Sequence, residues 1–128
     1  MKLKDVGKIL NMEAAGRNCT EIDERDVDSC YASDLISDLL TFQGPNPLLL
    51  TGLTNPQVIR SAEILDLVAI CFVRGRRPRP ETVALAEARG IPLFETSLSM
   101  YESCGRLYAN GVPPGVGKEG VVDCQAPE

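Results

Sequence analysis

Two apolar runs dominate the hydrophobic pattern. Leu67-Val68-Ala69-Ile70-Cys71-Phe72-Val73 is unbroken, and its length and branched residues predict a strand covered on both faces. Leu48-Leu49-Leu50-Thr51 follows a Gly-Pro-Asn-Pro turn at 44–47 and predicts a short buried strand. Between them, Thr54-Asn55-Pro56 marks a helix start, with Asn55 as N-cap, Pro56 at the first helical position, and Val58, Ala62 and Leu65 at helical spacing. After the longer run, a turn containing Gly75 and Pro78 leads to a helix over Pro80–Arg89, closed by Gly90. Ile91-Pro92-Leu93-Phe94-Glu95 predicts a third strand, its proline suiting a strand start or an exposed edge. Ser99-Met100-Tyr101-Glu102 then forms a capping box, opening a helix with Met100, Cys104 and Leu107 on one stripe.

Upstream, the pattern predicts a short helix over Leu3–Leu10 and further strands in Met12–Ala15 and Val27–Ala32. Ser33-Asp34 is expected to cap another helix with Leu35, Ile36, Leu39 and Leu40 facing inward. The order strand, helix, strand, helix, strand, helix predicts a single compact α/β domain. Its expected architecture is three layers, with a mostly parallel sheet between crossover helices. That domain is expected over residues 1–111, followed by a loose Gly- and Pro-rich tail over 112–128.

At 128 residues the chain has one domain's length. Thirteen Lys and Arg stand against eighteen Asp and Glu, a net charge of −5 that removes the general attraction to a nucleic-acid backbone. No apolar stretch approaches the roughly 20 residues of a membrane helix. The opening Met-Lys-Leu-Lys-Asp lacks a signal peptide's apolar core, so no membrane or nucleic-acid partner is expected and a cytoplasmic location is. With no His, the chain lacks the usual general base, the His-activated nucleophile and the commonest zinc ligand. The five cysteines (Cys19, Cys30, Cys71, Cys104, Cys124) form no CxxC pair and are expected to be free thiols, with Cys71 in the core. Gly115-Val116-Gly117-Lys118 fails as a P-loop, because Val112 stands where the pattern needs glycine and Glu119 where it needs Ser or Thr. A non-catalytic protein without a resident cofactor or metal is the expectation.

Ligands of parallel α/β sheets bind beyond the carboxyl ends of the strands. Three segments are expected there: Thr51-Gly52-Leu53-Thr54-Asn55, Arg74-Gly75-Arg76-Arg77-Pro78-Arg79, and Thr96-Ser97-Leu98-Ser99. Thr51, Thr54, Asn55, Ser97 and Ser99 offer hydroxyl, amide and helix-start donors, while Arg74, Arg76 and Arg77 offer charge for a phosphate. The same hydroxyls also serve as ordinary helix caps, so both readings stay open. Asp34 and Asp38, spaced i,i+4, are expected on one helix face as a docking patch for a basic partner, or simply as a wet face.

These segments resemble the DRTGG domain family from about Leu3 to Gly111. The resemblance is carried by Tyr31-Ala32-Ser33-Asp34-Leu35-Ile36-Ser37-Asp38, Asn55-Pro56, Gly75-Arg76-Arg77-Pro78, Gly90-Ile91-Pro92, and Thr96-Ser97-Leu98-Ser99 leading to Gly105-Arg106-Leu107-Tyr108. Where the family's naming motif ends in two glycines, this chain has Asp28-Ser29-Cys30. The resemblance implies a fold similar to the N-terminal domain of HPr kinase/phosphorylase, homodimerisation, and a regulatory module that binds an adenine nucleotide or another phosphorylated metabolite. The alternative it implies is a scaffold or accessory protein of a redox metalloenzyme such as an iron hydrogenase.

Overall fold

The two apolar runs form the centre of a sheet. In the computed structural model, which describes residues 1–16 and 24–117, they become β4 (Pro47–Thr51) and β5 (Ala69–Phe72), buried along their whole lengths. Pro47 opens β4, where its missing N–H costs no ladder bond, and its carbonyl accepts from Val68 N at 2.8 Å. The remaining strands are β1 (Glu13–Ala14), β2 (Ser29–Ala32), β3 (Phe42–Gln43), β6 (Leu93–Glu95) and β7 (Val116–Gly117). Five of them form one sheet in the order β1-β6-β5-β4-β2. β2, β4, β5 and β6 run parallel, and β1 closes the β6 edge antiparallel. In register, Tyr31 faces Leu49, Leu49 faces Ile70, and Ile70 faces Leu93.

The helices are α1 (Leu3–Leu10), α2 (Ile36–Leu39), α3 (Gln57–Leu65), α4 (Pro80–Arg89) and α5 (Met100–Ala109). Alternation along β4 and β5 sorts them into layers. Leu48, Leu50, Ala69, Cys71 and Val73 pack with Leu3, Val6 and Leu10 of α1 and Leu107 of α5. Leu49, Ile70 and Phe72 point the other way, into Val58, Ile59 and Ala62 of α3 and Ala86 of α4. This is the expected three-layer α/β domain, and α4 closes at Gly90 as predicted. No helix among the described residues is long and apolar enough to cross a membrane.

Two expectations need correction. The helix predicted from Ser33-Asp34 forms only over Ile36–Leu39. Leu35 is extended at φ −115° and ψ 121°, with Ser33 Oγ accepting from its N–H at 3.0 Å, and Thr41 closes the other end on the Asp38 carbonyl. Leu39 is buried, but Leu35 and Leu40 are 60% and 49% exposed rather than inward. The second correction concerns the tail. Val112 is buried, Cys30 N donates to Pro113 O at 3.0 Å, and Gly115 N donates to Cys30 O at 2.8 Å. Residues 113–115 thus run beside β2 as a strap, and β7 pairs antiparallel with β3. Gly115 lies against the Tyr31 ring so closely that a Cβ there would overlap it. The rest of the expected tail, 118–128, lies outside the described residues, as do Cys19 and Cys124.

Candidate functional site

All four parallel strands end at one edge of the sheet, and backbone hydrogen bonds tie the turns that leave them. Val73 N donates to Thr51 O at 3.0 Å, joining the ends of β4 and β5. Arg74 N donates to Leu98 O at 2.7 Å and Gly75 N to Thr96 O at 2.8 Å, joining the β5 turn to the β6 turn. On the other side, Ser33 N donates to Leu50 O at 3.2 Å, which brings in the turn after β2. The three segments singled out in the sequence therefore share one rim.

Thr51, Gly52, Arg74 and Asp34 form its centre. Gly52 N donates to Asp34 Oδ1 at 2.6 Å, and Thr51 Oγ1 lies 3.3 Å from the same oxygen. Arg74 Nη2 is 3.5 Å from Asp34 Oδ2, in an ion pair whose side chains are 49% and 45% exposed. A Cβ on Gly52 would come within 2.9 Å of Arg74 Nη2 and 3.3 Å of both Asp34 oxygens, so the glycine is what admits these groups over the backbone. Arg74 itself has φ +61°, a left-handed conformation that a non-glycine residue keeps only when its surroundings hold it there. The bonds from Arg74 N and Gly75 N do so, and they fix the root of the guanidinium above Gly52.

The other predicted residues divide between rim and cap. Ser99 Oγ accepts from Glu102 N at 3.1 Å and caps α5. By contrast, α3 starts at Gln57 with Pro56 in the cap position, one residue later than expected, and Asn55 Oδ1 accepts from Gln57 N at 3.0 Å in the turn before it. The Thr54 carbonyl accepts from Thr82 Oγ1 at 2.6 Å and Arg79 N at 3.2 Å, which fastens the β4 turn to the start of α4. In the β6 turn the buried hydroxyl is that of Thr96, donating to Leu10 O at 2.6 Å, whereas Ser97 is exposed. Arg76 and Arg77 are exposed, and Arg77 reaches only a 3.9 Å approach to Glu95.

Asp34 and Asp38 do not share a helix face. Asp34 precedes α2 and turns into the rim, while Asp38 lies within α2 and is exposed. Sequence reasoning put Asp34 on a docking patch and Gly52 within the β4 turn, and missed that the two meet at the centre of the rim. The signal was position, since Gly52 directly follows β4 and Asp34 stands two residues after β2.

Away from the rim, a concavity of about 770 Å³ opens between α5 and the β2 edge. Its lining includes Cys30, Tyr31, Phe42, Tyr101, Cys104 and Tyr108, and it is mostly apolar. Burial raises the Cys30 thiol far above its ordinary range, with the neighbouring Cys104 and Cys71 thiols adding to the effect. Burial likewise raises Cys104, and pushes Cys71 up to about 12 with a contribution from Glu95. These thiols stay protonated at neutral pH, which makes them poor nucleophiles.

Comparison of the fold with solved structures finds a crystal structure of the CBS and DRTGG domains of the regulatory region of Clostridium perfringens pyrophosphatase, complexed with the activator diadenosine tetraphosphate. The TM-score is 0.65 at 18% sequence identity, over 88% of this chain and 47% of that one. The likeness is one of fold. This chain spans about half the length of that regulatory region. No protein-family model matches the sequence, and no curated protein does.

Proposed function

We propose that this chain is a DRTGG-like regulatory module, without chemistry of its own, that senses a phosphorylated small molecule at the strand-end rim, with an adenine nucleotide as the first candidate. The observation that carries this reading is the Arg74 guanidinium held beside Gly52, so that it and the Gly52 N–H meet the same Asp34 carboxylate. A guanidinium, a backbone N–H and the Thr51 hydroxyl converging at the end of a parallel sheet are the donors a phosphate oxygen needs. Arg76 and Arg77, exposed on the same turn, supply charge for further phosphates in a chain that is acidic overall. The pyrophosphatase regulatory region, with its dinucleotide activator, supports a nucleotide as the class to try first.

The test is thermal unfolding of the full chain against AMP, ATP, diadenosine tetraphosphate and inorganic tripolyphosphate. A ligand that binds only the folded state stabilises it by about 2.7 kcal/mol at one hundred times its Kd, a shift of several degrees for a domain of this size. At least one of the four is expected to raise the midpoint in a concentration-dependent way. No shift with any of them at millimolar concentration sinks the reading.

A further inference from the structure

We infer that Asp34 is an internal competitor at the rim: its carboxylate occupies the seat a ligand phosphate takes, so that ligand binding and release of the β2–α2 segment form one equilibrium. The inference rests on the proposal that the rim binds a phosphorylated ligand, and adds how that site is regulated.

The seat is already filled by an anion. Asp34 takes the Gly52 N–H at 2.6 Å, faces the Thr51 hydroxyl at 3.3 Å and pairs with Arg74 at 3.5 Å, so one carboxylate engages all three donors. Both of its oxygens press on the space a Gly52 Cβ would take. No second oxygen reaches the Gly52 N–H while Asp34 stays, and two anions cannot share one guanidinium without repelling each other.

The carboxylate is also held loosely enough to leave. Its pair with Arg74 is half exposed, the class of ion pair that contributes least to stability. It stands on the short turn between β2 and α2, and α2 is a single four-residue turn with exposed leucines on both flanks. A phosphate, which carries more charge than a carboxylate and accepts through three oxygens, outcompetes it for the same donors. When it does, residues 34–40 lose the Asp34 tie to the rim, keeping the Ser33 N bond to Leu50 O and the buried Leu39 as anchors, and ligand occupancy becomes a change in that surface segment.

The experiment titrates ATP and inorganic tripolyphosphate by calorimetry into the full chain and its Asp34→Asn variant, with Arg74→Gln as control. A seat filled by its own carboxylate about nine-tenths of the time masks roughly tenfold of the intrinsic affinity. Asp34→Asn is therefore expected to bind both probes roughly tenfold more tightly. In the unaltered chain, saturation with either probe is expected to speed amide hydrogen exchange in 34–40 while slowing it in 51–55.

Equal or weaker binding by Asp34→Asn, with binding still lost in Arg74→Gln, overturns the competitor role and leaves the site standing. A gain confined to ATP also overturns it, because the competition would then involve the nucleoside rather than phosphate. If neither protein binds either probe, the site and the competitor fall together. Should Asp34→Asn fail to fold, the unaltered chain decides alone: unchanged or slower exchange in 34–40 on saturation sinks the inference.

Discussion

Replacing Arg74 with glutamine is expected to weaken ATP and tripolyphosphate binding by about 10- to 100-fold while leaving the chain folded. A hydrogen bond to a charged group contributes about 1.5–3 kcal/mol, and each 1.4 kcal/mol is tenfold in affinity. The stability side is small, because the Arg74 pair with Asp34 is half exposed and such pairs contribute about 0–1 kcal/mol. Arg74→Gly separates the two effects further. At φ +61° glycine relieves the left-handed backbone, offsetting its greater entropy in the unfolded chain, so that variant is expected to stay folded yet bind as poorly as glutamine. Calorimetry of both variants beside a urea melt checks this. Undiminished binding by Arg74→Gly would remove the guanidinium from the account of the site.

The largest effect on stability is expected at Phe72. It lies on a central strand, is fully buried, and faces the layer of α3 and α4. Phe72→Ala removes that burial and leaves a cavity, at a cost of about 3–5 kcal/mol. For a domain with a total stability of about 5–15 kcal/mol, that is a large share. With a urea slope of about 1–3 kcal/mol/M, the unfolding midpoint falls by about 1 M or more. A loss under about 1 kcal/mol would mean that the sheet does not pack on α3 and α4 as described.

The core strands were legible because burial on both faces leaves a contiguous apolar run, as at 48–51 and 67–73, and the rim followed from where those runs stop. What escaped was set by specific hydrogen bonds, some local and some to distant partners. Leu35, Ile36, Leu39 and Leu40 have helical spacing, but the side chains of Ser33 and Thr41 bond the backbone at either end and leave a single turn. The i,i+4 spacing of Asp34 and Asp38 suggested a shared face, whereas the Gly52 N–H and the Arg74 guanidinium draw Asp34 away. Nothing local marks Arg74 for a left-handed backbone, since the carbonyl that holds it belongs to Leu98, 24 positions further along the sequence. Composition hid the strap in the same way. Pro113, Pro114 and Gly115 show no periodicity, yet they engage Cys30, more than eighty positions earlier.

That strap also settles how the sheet ends. β2 is the outermost parallel strand, and the Cys30 N–H and C=O that face away from β4 are both taken by residues 113–115. A chain cut back to Gly111, where the family resemblance stops, would bare those two groups along a strand with a buried tyrosine at its centre. Unpaired strand borders of that kind recruit strands from neighbouring molecules. Pro113, Pro114 and Gly115, three residues of unpromising composition, thus act as a guard against self-association, and any shortened version of the protein should keep them.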